Sequence, residues 1–224
     1  MSYPDYSREE RIADNIVHVI GVTAAIAGTT FLLLNGAQGL TPTAFAAIVI
    51  YALAMILMLG ASAAYHMAAH TPARPVLRRI DHAAIYIKIA ATLTPLAVLL
   101  GTMVGYMVLA VIWFLAVVGA LSKLLARRGK MSTGWIPQVA LGWLGLALII
   151  PLWPQLPANS LALILAGGLT YTGAVVFYCW EGLKYCNAIW HVFVLVATAF
   201  CFLGISTALP SHVSAAQAPQ IEAH

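Results

Sequence analysis

Seven apolar runs of about 20 residues each, separated by short polar breaks, organise this sequence from end to end. A run of that length crosses the hydrocarbon core of a bilayer as one helix. In lipid, only helices and closed barrels satisfy their own backbone groups. The runs cover about residues 16–34, 43–66, 81–100, 105–125, 135–153, 160–180 and 188–209. Breaks such as NGAQGLTPT, HTPARP and PLWPQLPANS carry the Gly, Pro and small polar residues that end helices. Composition agrees: 62% of residues are hydrophobic and 8% charged, whereas soluble domains run at about 25% charged. So few charges cannot make a water-facing surface, which leaves the bilayer as the main solvent. The sequence therefore predicts an all-α integral membrane protein, one bundle of seven transmembrane helices. Residues 1–15 form an N-terminal segment, 16–209 the membrane domain and 210–224 a flexible C-terminal tail. Pro95, Pro137 and Pro151 fall inside or near the runs, where membrane helices tolerate proline.

The basic residues choose an orientation. Arg8 and Arg11 precede the first run, Arg74, Arg78 and Arg79 join the second to the third, Lys123, Arg127, Arg128 and Lys130 join the fourth to the fifth, and Lys184 joins the sixth to the seventh. The alternate loops and the C-terminal tail have no Lys or Arg. The positive-inside rule then predicts a cytoplasmic N-terminus and an external C-terminus. This placement also accounts for the net charge of +4 without a nucleic-acid partner. Cys179, Cys186 and Cys201 lie in or beside apolar runs and suggest no disulfide framework. No cleavable signal peptide and no internal repeat is visible.

Ionisable groups inside a membrane helix are costly and by default point to function. Here they gather at one end of the bundle. Glu10, Asp14 and His18 are spaced four apart and share a face at the start of the first run. Ser62 and His66 share a face at the end of the second, Asp81 and His82 open the third, and Asn187 and His191 open the seventh. With the orientation above, all lie at cytoplasmic ends. Histidines from separate helices with a carboxylate beside them form a zinc-type arrangement. The same residues admit plainer readings: interhelical hydrogen bonds for His66 and His191, a helix N-terminus for Glu10 and Asp14. Lys88 stands apart, seven residues beyond Asp81 and two turns deeper on nearly the same face. An amine there needs a partner, and Asp81 is the expected one.

Three motifs, in order, resemble the hemolysin III group of the progestin and adipoQ receptor superfamily. The family's first motif is Glu, then Asn, then His; here it reads Glu10, Asp14, His18. The second is Ser, three residues, His and a later Asp: Ser62 and His66 within SAAYH, and Asp81 within RRIDHAAIY. The third is His, three residues, His; here NAIWH holds Asn187 and His191. The resemblance covers about residues 10–205. It implies seven helices with a zinc ion near the cytoplasmic side, and a cell-membrane location, the inner membrane in a bacterium. It makes His66 and His191 zinc ligands, puts Asn187 at the third ligand position, and gives Asp81 the metal-bound water. Asp81 and Ser62 are the candidate catalytic residues. An amide is a poor zinc ligand beside imidazole, so Asn187 is a departure, and His70, one turn after His66, is a substitute to consider.

Two functions are consistent with this pattern. One is a zinc-dependent intramembrane hydrolase of a lipid amide or ester. The other is a non-enzymatic membrane regulator or receptor-like protein, linked to lipid sensing, membrane energetics or cytolysis, with a degenerate metal site. In both, the partners are membrane lipids.

Overall fold

A computed structural model describes residues 6–68, 71–126, 134–180 and 182–217, with side chains to residue 209. His70, Arg127, Arg128 and Lys130 lie outside the described residues. Among those described there are helices and no strand: α1 (Arg8–Phe31), extended by a π-helical turn at Leu32–Gly36, α2 (Pro42–Met67), α3 (Arg74–Leu100), α4 (Met103–Leu124), α5 (Ile136–Trp143), α6 (Leu146–Leu152), α7 (Ala158–Tyr178) and α8 (Cys186–Gln217). Local chemistry sets the starts. Ser7 caps α1 in a reciprocal box with Glu10, Thr41 caps α2 ahead of Pro42, and Thr102 caps α4. Gly101, at φ +63°, ends α3 in the left-handed conformation and lets the chain turn into α4.

Six helical segments are long and apolar enough to cross a membrane. The fifth apolar run is different: it covers the shorter stretch Ile136–Leu152 and breaks between α5 and α6. Gly145 marks the break. Its backbone lies so close to α3 that a Cβ there would sit 2.6 Å from Leu93 Cδ2. The path of the chain shows that this short stretch still carries it from one end of the bundle to the other. α1 and α8 run parallel: Asp14 meets His191, Gly21 meets Leu195 and Gly28 meets Phe202. α7 is antiparallel to α8, with Tyr171 on Thr198 and Ser160 on Thr207. α3 and α4 are antiparallel, with Trp113 bonded to Thr94 and Gly119 under Tyr86. The chain thus leaves α4 at the end where α1 begins and enters α7 at the far end. Residues 136–152 supply the crossing between them.

α3 is the most enclosed span, with 67% of its apolar window buried. It begins at Arg74, two turns earlier than its apolar run, because Pro75 suits a first helical turn and Arg78 and Arg79 are carried on the helix itself. Asp81 and His82 therefore sit two turns inside α3, and Lys88 lies about 21 Å along it at 1.5 Å per residue.

α7 and α8 touch through glycines. A Cβ at Gly204 would lie 2.9 Å from the Ser160 carbonyl oxygen and 2.7 Å from Ile164 Cγ1. Gly168, one position from the seam, has nothing within 4 Å of its Cβ position. Gly204→Ala is expected to lower unfolding stability in detergent by about 1–3 kcal/mol, because backbone would have to move. Gly168→Ala is expected to raise it by about 0.5–1 kcal/mol through helix propensity alone. Thermal unfolding of the two variants checks the pair.

Candidate metal centre

Asp14 faces into the bundle six residues after α1 begins, 5% exposed. Three histidines from three helices surround it. Oδ1 accepts from His191 Nδ1 of α8 at 2.7 Å, and Oδ2 lies 3.0 Å from His66 Nδ1 of α2. His18, one turn on along α1, directs Nδ1 at the Asp14 main-chain carbonyl at 2.8 Å. That carbonyl can only accept, so His18 carries its proton on Nδ1 and leaves Nε2 as an acceptor. The Ser62 hydroxyl, 3.2 Å from Nε2, donates to it. The three ring centroids are 4.3 to 4.8 Å apart. One ligand-type atom from each of Asp14, His18, His66 and His191 lies within 4.8 Å of the others.

The donor set fits a metal ion. Three imidazoles and a carboxylate are the N/O ligands preferred by zinc and its first-row neighbours. A buried carboxylate must be compensated, and here donors compensate it on both oxygens. Where a histidine gives one ring N–H to a carboxylate or carbonyl, its other nitrogen is the one left to bind a metal; in His18 that nitrogen accepts from Ser62. The Asn187 amide completes the ring around Asp14, donating to Oδ2 at 2.9 Å with its nitrogen 3.0 Å from His66 Nδ1.

A family profile described as Haemolysin-III related matches residues 7–202. The chain belongs to the haemolysin III family. It is 34% identical to Hemolysin-3 of Bacillus cereus over 195 residues, which is 87% of this chain and 89% of the relative. It is 31% identical to the Hemolysin-3 homolog of Bacillus subtilis (strain 168) over 210 residues, covering 92% of this chain and 98% of that one. The two places where this haemolysin III protein departs from the motif pattern, Asp14 in place of Asn and Asn187 in place of His, touch each other. The carboxylate at 14 accepts from the amide at 187.

The remaining predicted residues separate into groups. Ser62 lies at the site, against His18. Glu10 lies one turn before Asp14 and accepts from the main-chain N–H of Tyr185 at 2.9 Å. Asp81 is buried but turned to its neighbour: its Oδ2 is 3.1 Å from His82 Nδ1. The His82 ring is 6.4 Å from that of Tyr65, which packs edge-on against His66 at 4.7 Å. Asp81 thus stands behind a wall of aromatic rings. Arg74 holds that wall, donating to the Tyr65 hydroxyl at 3.1 Å.

Lys88 does not pair with Asp81. Nζ donates to the Tyr171 hydroxyl of α7, which in turn bonds Thr198 of α8 at 2.5 Å. Among the described residues no carboxylate lies within ion-pair distance of it. Tyr171, Thr198, Tyr65 and Tyr185 carried no signal of a polar role, because aromatic and threonine residues are ordinary in membrane helices. Lys88→Met should change unfolding stability by less than about 1 kcal/mol, since Tyr171 keeps Thr198. Tyr171→Phe should cost about 1–3 kcal/mol, since it strands a buried amine. Chemical denaturation in detergent separates the two.

Proposed function

We propose that this protein is an intramembrane metal-dependent hydrolase of lipid amides or esters, with His18, His66 and His191 as imidazole ligands of a zinc ion and Asp14 as the carboxylate of the same site. The observation that carries the reading is the meeting of four ligand-type side chains from three helices inside a membrane protein. When bound, zinc supplies Lewis-acid polarisation of a carbonyl and lowers the pKa of a water. The chain's own residues do the rest. Asp14 orients His66 and His191 through their Nδ1 atoms, and Asn187 steadies the carboxylate. With His18 Nε2 given to the metal, the Ser62 hydroxyl that now donates to it would be released to donate to a substrate carbonyl oxygen. Asp81 acts at one remove, with its Oδ2 3.1 Å from His82 Nδ1 and Tyr65 between the His82 and His66 rings.

Two small cavities flank the cluster. One, of about 20 Å³, is lined by His18, Ser62 and His191 with Met58, Leu59 and Leu195. It holds about one water, beside the histidines and against apolar walls. The other, of about 10 Å³, reaches Asp14 and Asn187 from the Tyr6, Glu10 and Arg11 end. The basic-loop bias supports a cytoplasmic placement of that end, and the Bacillus relatives support a bacterial cell membrane.

A second reading, a non-enzymatic membrane regulator, is favoured by the Lys88–Tyr171–Thr198 chain, a deep polar relay that the hydrolase does not use.

Metal analysis of detergent-purified protein tests the choice. The hydrolase predicts about one zinc per chain, lost in His66→Ala, His191→Ala and His18→Ala. Lipid-amide cleavage should fall at least about 100-fold with the metal. A zinc-free wild type that gains zinc on Asn187→His would instead mark a retired site and leave the regulator.

A further inference from the structure

We infer that Glu10 is a positioning residue that locks the rotation of α8 and thereby the placement of Asn187 and His191; the inference rests on the metal-site reading above. Both carboxylate oxygens are used. Oε2 accepts from the Ser7 main-chain N–H at 2.9 Å, closing the cap of α1. Oε1 accepts from Tyr185 N at 2.9 Å, 175 positions away along the chain. Tyr185 immediately precedes α8, and its carbonyl accepts the helix's first bond, from Ile189 N at 2.9 Å. Tyr185 has φ +61°, and among the described residues no other non-glycine residue has a positive φ. A tyrosine takes that conformation only where its surroundings compensate the strain. The bond to Glu10 is the contact that does so.

The consequence follows from the register of α1 against α8. From this end inward the seam reads Glu10 on Tyr185, Asp14 on Asn187 and His191, Gly21 on Leu195 and Gly28 on Phe202. The glycine contacts set how closely α1 and α8 approach but carry no directional bond. Among the described residues the directional bonds between α1 and the α8 end lie at the site end, and the outermost belongs to Glu10; α7 bonds α8 deeper, at Thr198 and Thr207. Asn187 and His191 lie in the first two turns of α8, where a rotation set at Tyr185 is transmitted directly.

The test uses full-length protein in detergent with zinc alone as probe, reading zinc affinity by chelator competition and amide exchange at Tyr185. Glu10→Ala should speed exchange at Tyr185 and weaken zinc about 10–100-fold, the range for outer partners of metal ligands. Glu10→Gln keeps an acceptor for Tyr185 and should bind zinc as the wild type does. Ser7→Ala loses only the α1 cap and should leave zinc affinity unchanged. Adding Tyr185→Gly to Glu10→Ala should recover much of the loss, because glycine takes a positive φ without strain. Glu10→Ala that binds zinc as tightly as wild type, or leaves Tyr185 exchange unaltered, overturns the inference. If the wild type binds no zinc, the metal reading fails by itself. The exchange at Tyr185, and its spread to residues 186–191, then still decides whether Glu10 holds α8.

Discussion

A carboxylate placed where bulk water does not reach must be met by donors fixed in the protein, and Asp14 imposes that condition on three helices at once. Its two oxygens and its main-chain carbonyl engage His191, His66, Asn187 and His18. None of these can move away without leaving a polar group unpaired in an apolar interior, at a cost of several kcal/mol. α1, α2 and α8 are therefore pinned together at one depth, although their contributing residues lie up to 177 positions apart. The same pinning converts imidazoles that would otherwise be interhelical glue into a set of nitrogens facing one another.

Elsewhere the bundle is held by a weaker and more distributed force. Lipid is as apolar as leucine, so burying apolar side chains drives helix association little, and close packing must do the work. Glycines supply it: Gly21 under Leu195, Gly119 under Tyr86, Gly145 against Leu93, and Gly167 and Gly204 along the α7–α8 seam. The broken crossing α5–α6 is part of this economy of space. By kinking at Gly145 it fits against α3, and α3 becomes the enclosed centre on which Lys88 is carried. Lys88 then meets the Tyr171 hydroxyl of α7, which bonds Thr198 of α8.

Much of the bundle was legible residue by residue. Long apolar runs with few charges mark the helices, since a helix satisfies its own backbone in lipid within one segment. The four-residue spacing of Glu10, Asp14 and His18 places them on one face, and the structure uses all three. Misjudged features share one cause. The early start of α3 and the break at Gly145 depend on neighbours that hydropathy does not see. The pairing of Lys88 with Asp81 was reasoned along a single helix, whereas its partner comes across the bundle. The bond from Asn187 to Asp14 joins α8 to α1 and could not be read from the motif on α8 alone.

Sequence by itself determined that this chain is a multi-helix membrane protein of the haemolysin III type, and which polar residues stand at one end of it. That is so because apolar length, charge placement and motif order are properties of contiguous residues. Tertiary structure alone decided which of those residues meet. It brought His18 rather than Asn187 into the imidazole cluster, set Asp81 behind Tyr65 and gave Lys88 to Tyr171. The physical reason is that a ligand set is fixed by the rotation and depth of helices against one another. These are settled by glycine contacts and directional bonds between segments far apart in the chain, and no single helix records them.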